Sequence, residues 1–180
     1  FFLCGTASAQ TRKQLQALEE SCPCKVFQLN AEMLIGPNSA HFCERWVKEI
    51  VDTFSKQSVA VALTSPMQIS PSADRSQSAR ILERLVELAL SVLVKKRPSL
   101  LFLCGGDTAS ALLERVGFTA IELQRGIVQG MPAGTILGGD LNGLPVVTKA
   151  GSFGQREDLV TLYEFWNKNK ADVVQIRRSS

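Results

Sequence analysis

Short apolar runs of strand length alternate with longer stretches of helical period along most of this sequence, and that order leaves few folds open. Residues 1–4 read as a short buried strand. The turn Gly5-Thr6-Ala7-Ser8 follows, then a helix over 9–20 and a second strand over 25–29. Asn38 or Ser39 can cap a helix that carries Trp46, Ile50 and Phe54 at helical spacing. The run 58–63 has no polar alternation, as in a strand buried on both faces. A Pro- and Ser-rich loop over 64–72 leads to a long helix over 74–95, whose stripe is Ile81, Leu82, Leu85, Leu88, Ala89 and Val92. Lys95, Lys96 and Arg97 suit the negative end of its dipole, and Pro98 stops it. A strand over 99–104, a helix over 109–116 and a strand over 118–123 come next. Residues 125–143 are Gly-rich without helical period and read as loops and short antiparallel strands, before a strand over 144–149 and a helix over 156–166. The expectation is a three-layer α/β fold: a mostly parallel sheet, helices on both faces, and a Gly-rich antiparallel segment near 125–149. Residues 1–166 would form one domain and 167–180 a polar carboxyl-terminal tail, frayed beyond Ile176.

Composition narrows the function classes. With 45% hydrophobic and 21% charged residues among 180, the chain has the makings of a core rather than of a disordered segment. Twenty Lys and Arg against 17 Asp and Glu give a net charge of +3, too little for the basic stripe of a nucleic-acid binder. No apolar run reaches the roughly 18 residues a membrane helix requires, and no signal peptide is visible, so neither nucleic acid nor membrane is an expected partner. The first residue is Phe, which suggests a piece of a longer protein. Five scattered cysteines (Cys4, Cys22, Cys24, Cys43 and Cys104) fit reduced thiols in a cytoplasmic protein better than disulfides or zinc. His41 lacks nearby ligand partners, and Ser65 and Ser70 have no paired base.

Ligands of open α/β sheets bind beyond the carboxyl ends of the strands. Three small-residue turns fall there, each opening a helix: Gly5–Ser8, Gly105–Thr108 and Gly151–Gly154. A helix amino terminus offers unpaired N–H groups and partial positive charge, and glycine lets a backbone approach an anion closely. Such turns suit phosphate. Thr6, Ser8, Thr108 and Ser152 would add hydroxyls, and Lys149 a point cation. Each turn alone is explained by strand-to-helix geometry, with Asp107 as the cap of its helix. Together they favour a phosphate ligand, although neither G-x-x-x-x-G-K-[ST] nor G-x-G-x-x-G is present.

Gly105-Gly106-Asp107-Thr108-Ala109, Gly130-Met131-Pro132, Leu137-Gly138-Gly139 and Val146-Val147-Thr148-Lys149-Ala150-Gly151-Ser152-Phe153-Gly154 resemble, in this order, the carboxyl-terminal nucleotide-binding domain of the four-carbon acid sugar kinases. Gly5-Thr6-Ala7-Ser8, with Thr11 and Gln14, is similar to that family's Gly-Ser-x-Ser segment. The resemblance implies a cytoplasmic, bacterial, ATP-dependent kinase that phosphorylates the terminal hydroxyl of threonate, erythronate or an oxo-tetronate. An amino-terminal domain, absent from this sequence, would hold most of the acid sugar, and a homodimer is compatible with it. Carried over, the nucleotide contacts are Thr6 or Ser8, Gly105, Gly106, Asp107, Thr108 and Gly151. Ser152, Gly154 and Lys149 complete the expected cradle, with Asp107 as a Mg²⁺ ligand and Asp107 and Lys149 as catalytic candidates. Thr6 departs from the family's usual Ser, and Ser152 stands where Gly or Asn is common. Arg125 to Gln129 occupy the place of an acid often found before the Pro-Gly segment. A non-catalytic nucleotide- or phosphometabolite-binding module is the alternative, and a domain whose glycines only make turns is a third reading.

Overall fold

The computed structural model describes residues 1–5, 8–55, 60–64 and 75–176. The chain runs β1 (Phe2–Cys4), α1 (Ala9–Ser21), β2 (Cys24–Gln28), α2 (Ala31–Ile35), α3 (Ser39–Ser55), β3 (Ala60–Thr64), α4 (Arg75–Lys95), β4 (Leu101–Cys104), α5 (Gly106–Arg115), β5 (Ala120–Val128), β6 (Met131–Leu137), β7 (Pro145–Lys149) and α6 (Asp158–Ile176). The strands form one sheet in the order β2-β3-β1-β4-β7-β6-β5. The first five in that order are parallel. β6 lies antiparallel to β7, and β5 antiparallel to β6. The Gly-rich stretch thus supplies the antiparallel edge, as expected.

The sequence of the central strands explains the layering. Every residue of β1 and β4 is buried, so both faces of these strands are covered. Side chains alternate between the faces. Leu3, Leu101, Leu103 and Val146 join the core beneath α3, α4 and α5, while Phe2, Cys4, Phe102, Cys104 and Val147 join the core beneath α1 and α6. The rings of Phe2 and Phe102 meet across the β1–β4 pair with centroids 5.2 Å apart.

Several boundaries differ from the sequence reading. α2 was not expected. Asn30 starts it by accepting the Met33 N–H at 2.8 Å, a local capping device that hydrophobic period does not reveal. β5 continues to Val128 through a shift of register after Gln124. α6 does not stop at Trp166. Leu159, Leu162, Tyr163 and Trp166 form a stripe at i, i+3, i+4 and i+7 against the core, and the Trp166 indole donates to Ser99 Oγ at 3.1 Å. With one side anchored, the polar residues beyond extend the helix through Ile176 rather than forming a tail from 167. Thr6 and the loop expected beyond Thr64 lie outside the described residues.

Candidate functional site

Cys4, Cys104 and Lys149 are the last residues of β1, β4 and β7, and they are register partners on neighbouring strands, Cys4 with Cys104 and Cys104 with Lys149. The three turns that follow therefore lie side by side along one rim. The ladder continues into them: Gly5 N–H donates to the Cys104 carbonyl, and Gly105 N–H to the Lys149 carbonyl, each at 3.0 Å. From adjacent strands the chain departs in opposite directions, from β1 into α1 on one face and from β4 into α5 on the other. This divergence is the crevice in which open α/β sheets bind ligands.

α5 begins earlier than the sequence suggested, at Gly106, and Asp107 is not its cap. The capping position is Gly105, at φ 103°, with no side-chain hydrogen bond to the helix. A left-handed backbone there favours glycine, and glycine has no side chain with which to cap. The N–H groups of Gly106, Asp107 and Thr108 thus stand at a helix amino terminus without a capping oxygen among the described residues, and Gly106 and Asp107 are exposed. Thr108 is placed differently from its two neighbours. It is buried, and its Oγ1 sits where a Cβ on Gly5 would be, so it closes the floor of the crevice. Ser8 caps α1, its Oγ accepting the Gln10 N–H at 3.2 Å.

Lys149 also differs from the expected outward point charge. It is 3% exposed and turned inward. Its Nζ lies 3.2 Å from Thr11 Oγ1 and 3.0, 3.1 and 3.1 Å from the carbonyl oxygens of Ala150, Gly151 and Phe153. α1 completes the clamp. Thr11 donates to the Gly151 carbonyl at 2.6 Å, Gln10 to that of Gly154 at 2.7 Å, and Gln14 to those of Phe153 and Gln155 at 3.2 and 2.8 Å. In a trans peptide the N–H points opposite to the C=O. Holding the carbonyls of residues 150, 151 and 153 inward turns the amides of Gly151, Ser152 and Gly154 away from the ammonium, and these three amides have no acceptor among the described residues. Gly154 itself, at φ 93°, has no room for a Cβ between Asp158 and Gln14.

A thiol pair lies beneath this loop. Cys4 and Cys104 are fully buried neighbours on paired strands. Hydrogen bonding to Cys4, chiefly, holds the Cys104 thiol below its ordinary range. The Lys149 ammonium adds to the effect, against the cost of burial, and Thr11 Oγ1 lies 3.4 Å from the sulfur with its proton committed to the Gly151 carbonyl. Cys4 is pushed well up, first by its bond to Cys104 and then by burial. Among the described residues no carboxylate pairs with Lys149, so the Cys104 sulfur is the group beside it able to carry a balancing charge. Nothing in the order of residues singles Cys104 out from the other cysteines, because its place beside Cys4 and Lys149 follows from strand order and register.

The turn between β5 and β6 belongs to the same rim, since β6 pairs antiparallel with β7 and begins beside its carboxyl end. Gly130 in this turn, at φ 73°, lies against the Phe153 ring. A separate cavity of about 320 Å³ opens between α3 and α4, on the face of the sheet away from α1. It is lined by Cys43, Arg84, Glu87 and Leu88 and gathers none of these turns.

Two helix starts and an outward-facing amide loop along the switch crevice of a mostly parallel sheet define an α/β domain of nucleotide-binding type. Residues 1–159 match the model of the family described as "nucleotide-binding C-terminal domain". The chain belongs to that family, the carboxyl-terminal domain of the four-carbon acid sugar kinases. Over 80 residues, 44% of this chain and 20% of the relative, it is 40% identical to a D-threonate kinase of Bordetella bronchiseptica. Over 175 residues, 89% of this chain and 40% of the relative, it is 23% identical to a D-erythronate kinase of Heliobacterium modesticaldum. A crystal structure of a domain of unknown function from Bordetella bronchiseptica, a domain-swapped dimer with bound citrate, superposes with a TM-score of 0.73 at 27% identity. That match covers 90% of this chain and 39% of the other. The chain thus spans two fifths or less of the length of these proteins.

Proposed function

We propose that this domain binds MgATP along the rim and that, in its full-length protein, the γ-phosphate passes to the terminal hydroxyl of a four-carbon acid sugar such as threonate, erythronate or an oxo-tetronate. The observation that carries this reading is the in-register alignment of Cys4, Cys104 and Lys149, which sets two anion-accepting amide groups side by side, at 106–108 and at 151, 152 and 154. Phosphoryl transfer asks of a protein positioning and charge stabilisation rather than covalent chemistry. Preorganised amides supply both. The exposed Asp107 carboxylate, in the first turn of α5, is the group that would help hold Mg²⁺, which favours one or two carboxylates together with phosphate oxygens. When bound, MgATP supplies the transferable phosphoryl group. This chain's own part is to fix its phosphates with the amides of Gly106, Asp107, Thr108, Gly151, Ser152 and Gly154, while Gly105 shapes the turn with its own N–H committed to the Lys149 carbonyl and Lys149 acts from beneath by holding the loop in shape. Names among the relatives support an acid-sugar acceptor, and the domain-swapped crystal dimer of one relative makes a homodimer the assembly to look for.

Thermal denaturation of the purified chain with MgATP tests the nucleotide. A ligand at a hundredfold excess over its Kd adds about 2.7 kcal/mol to stability. Well-folded protein that shows no shift at millimolar MgATP would falsify the proposal. ATP consumption dependent on D-threonate or D-erythronate, measured on the full-length protein, tests the transfer. Nucleotide binding with no turnover of any four-carbon acid sugar there would leave a binding module instead.

A further inference from the structure

We infer that Phe153 is the platform on which the flat base of the bound nucleotide stacks, which makes it a specificity residue for nucleoside triphosphate over bare polyphosphate. The inference rests on the nucleotide reading above and adds to it the place of the base. Phe153 sits inside the amide loop, yet its side chain is 45% exposed, unusual for a large aromatic residue in so constrained a backbone. The backbone leaves it little choice. Its carbonyl is held by Lys149 at 3.1 Å and Gln14 at 3.2 Å, and its N–H donates to the Ala150 carbonyl at 3.1 Å. The ring is therefore carried outward and leans on the β5–β6 turn at Gly130. A Cβ there would lie 1.9 Å from the ring, so the turn is shaped to receive it. Gly130 supports one part of the ring, and Phe153 stands in the chain between Ser152 and Gly154, two of the residues whose amides turn outward. An aromatic surface beside a phosphate cradle is the arrangement that takes a base by stacking, whatever its hydrogen-bonding edge, because every base has a π-face.

The experiment compares Mg²⁺ complexes of ATP and of inorganic tripolyphosphate by calorimetry on the wild-type chain, Phe153→Leu and Phe153→Trp. Phe153→Leu keeps bulk against Gly130 and removes the flat face, and an unchanged melting temperature confirms that it folds. The expected result is a loss of about tenfold or more in ATP affinity for Phe153→Leu, the size of one base stacked on one ring. Tripolyphosphate should bind within about twofold of wild type, and Phe153→Trp should retain ATP. Unchanged ATP affinity in Phe153→Leu, with tripolyphosphate still bound, overturns the inference while leaving the phosphate site standing. Equal loss of both ligands also overturns it, since the ring then only props the loop. Wild-type protein that binds neither ligand removes the nucleotide reading and this inference together.

Discussion

Lys149 carries a charge into a place that excludes water, and the balance around it decides how the loop is held. A buried ammonium is tolerable when every N–H is satisfied and an anion lies close. Three carbonyls and the Thr11 hydroxyl meet the first condition, and the Cys104 thiol, held below its ordinary range, is the candidate for the second. Lys149→Met fills similar space but removes the charged donor that ties the carbonyls of Ala150, Gly151 and Phe153 together, leaving each with one donor, the Phe153 N–H, Thr11 and Gln14 respectively. It should cost about 3 kcal/mol by urea denaturation, and ATP affinity should fall as the loop loosens. A loss below about 1 kcal/mol would mean that Thr11, Gln14 and the Phe153 N–H suffice to hold the loop. Cys104 gives a pH signature. Its thiol is held below the ordinary range, first by hydrogen bonding to Cys4, with Lys149 adding to it against burial. The folded chain should therefore release this proton at lower pH, about 6, than the unfolded chain, which releases it at about 9.0. The unfolded state binds more protons across that interval, so this group makes stability rise with pH from about 6 to 9, and its contribution disappears as pH falls through about 6. The raised Cys4 thiol acts with opposite sign and only above the ordinary thiol value of 9.0. Cys104→Ala should therefore flatten the pH dependence of the urea midpoint over this window. Parallel curves for the variant and wild type would show that Cys104 stays protonated.

At the scale of elements, α1 is both a covering helix and the jaw of a clamp. Thr11, Gln14, Leu15 and Leu18 fall at i, i+3, i+4 and i+7, and all four are buried. The two polar residues stand on the apolar stripe because the loop after β7 needs donors there. The arrangement carries a cost. Gln14 Nε2 serves two carbonyls, while its Oε1 is buried without a partner among the described residues, a penalty of about 1–3 kcal/mol. Gln14→Leu removes the orphan acceptor together with the two donated bonds. Global stability should move by less than about 1 kcal/mol, while amide exchange in residues 151–155 speeds several-fold by mass spectrometry. Unchanged exchange there would show that Lys149 and Thr11 suffice. This clamp marks the limit of what the sequence discloses. The alternation of strands and helices, the antiparallel Gly-rich edge and the three rim turns are all legible, because burial and turn geometry act on neighbouring residues. The inward turn of Lys149, the closing of the crevice floor by Thr108 and the Cys4–Cys104 pair depend on strand order and register, which no local pattern encodes. The true start of α5 was hidden for another reason. Asp107 has the chemistry of a cap, but the left-handed Gly105 takes that position.

For the molecule as a whole, the question is whether the rim works as one site. A single helix start binds any small anion weakly, so protection of one turn proves little. The groups at 106–108 and 151–154 are far apart in sequence and are joined in space only because β4 and β7 are neighbours. Successive strands lie about 4.8 Å apart, so one polyphosphate chain can place a separate phosphoryl group on each of the two turns at once. Hydrogen exchange with MgATP should accordingly slow both stretches together, at the same midpoint concentration, whereas inorganic phosphate should slow them weakly and independently. Exchange along the α3–α4 cavity, on the other face, should be indifferent to either ligand. Protection that appears at Cys43, Arg84 and Leu88 but not at the rim would move the binding site to that cavity, and the alignment of strand ends would then be a feature of the fold alone. Protection of both rim stretches at one midpoint would make the sheet's strand order the reason that two separate turns behave as one binding surface.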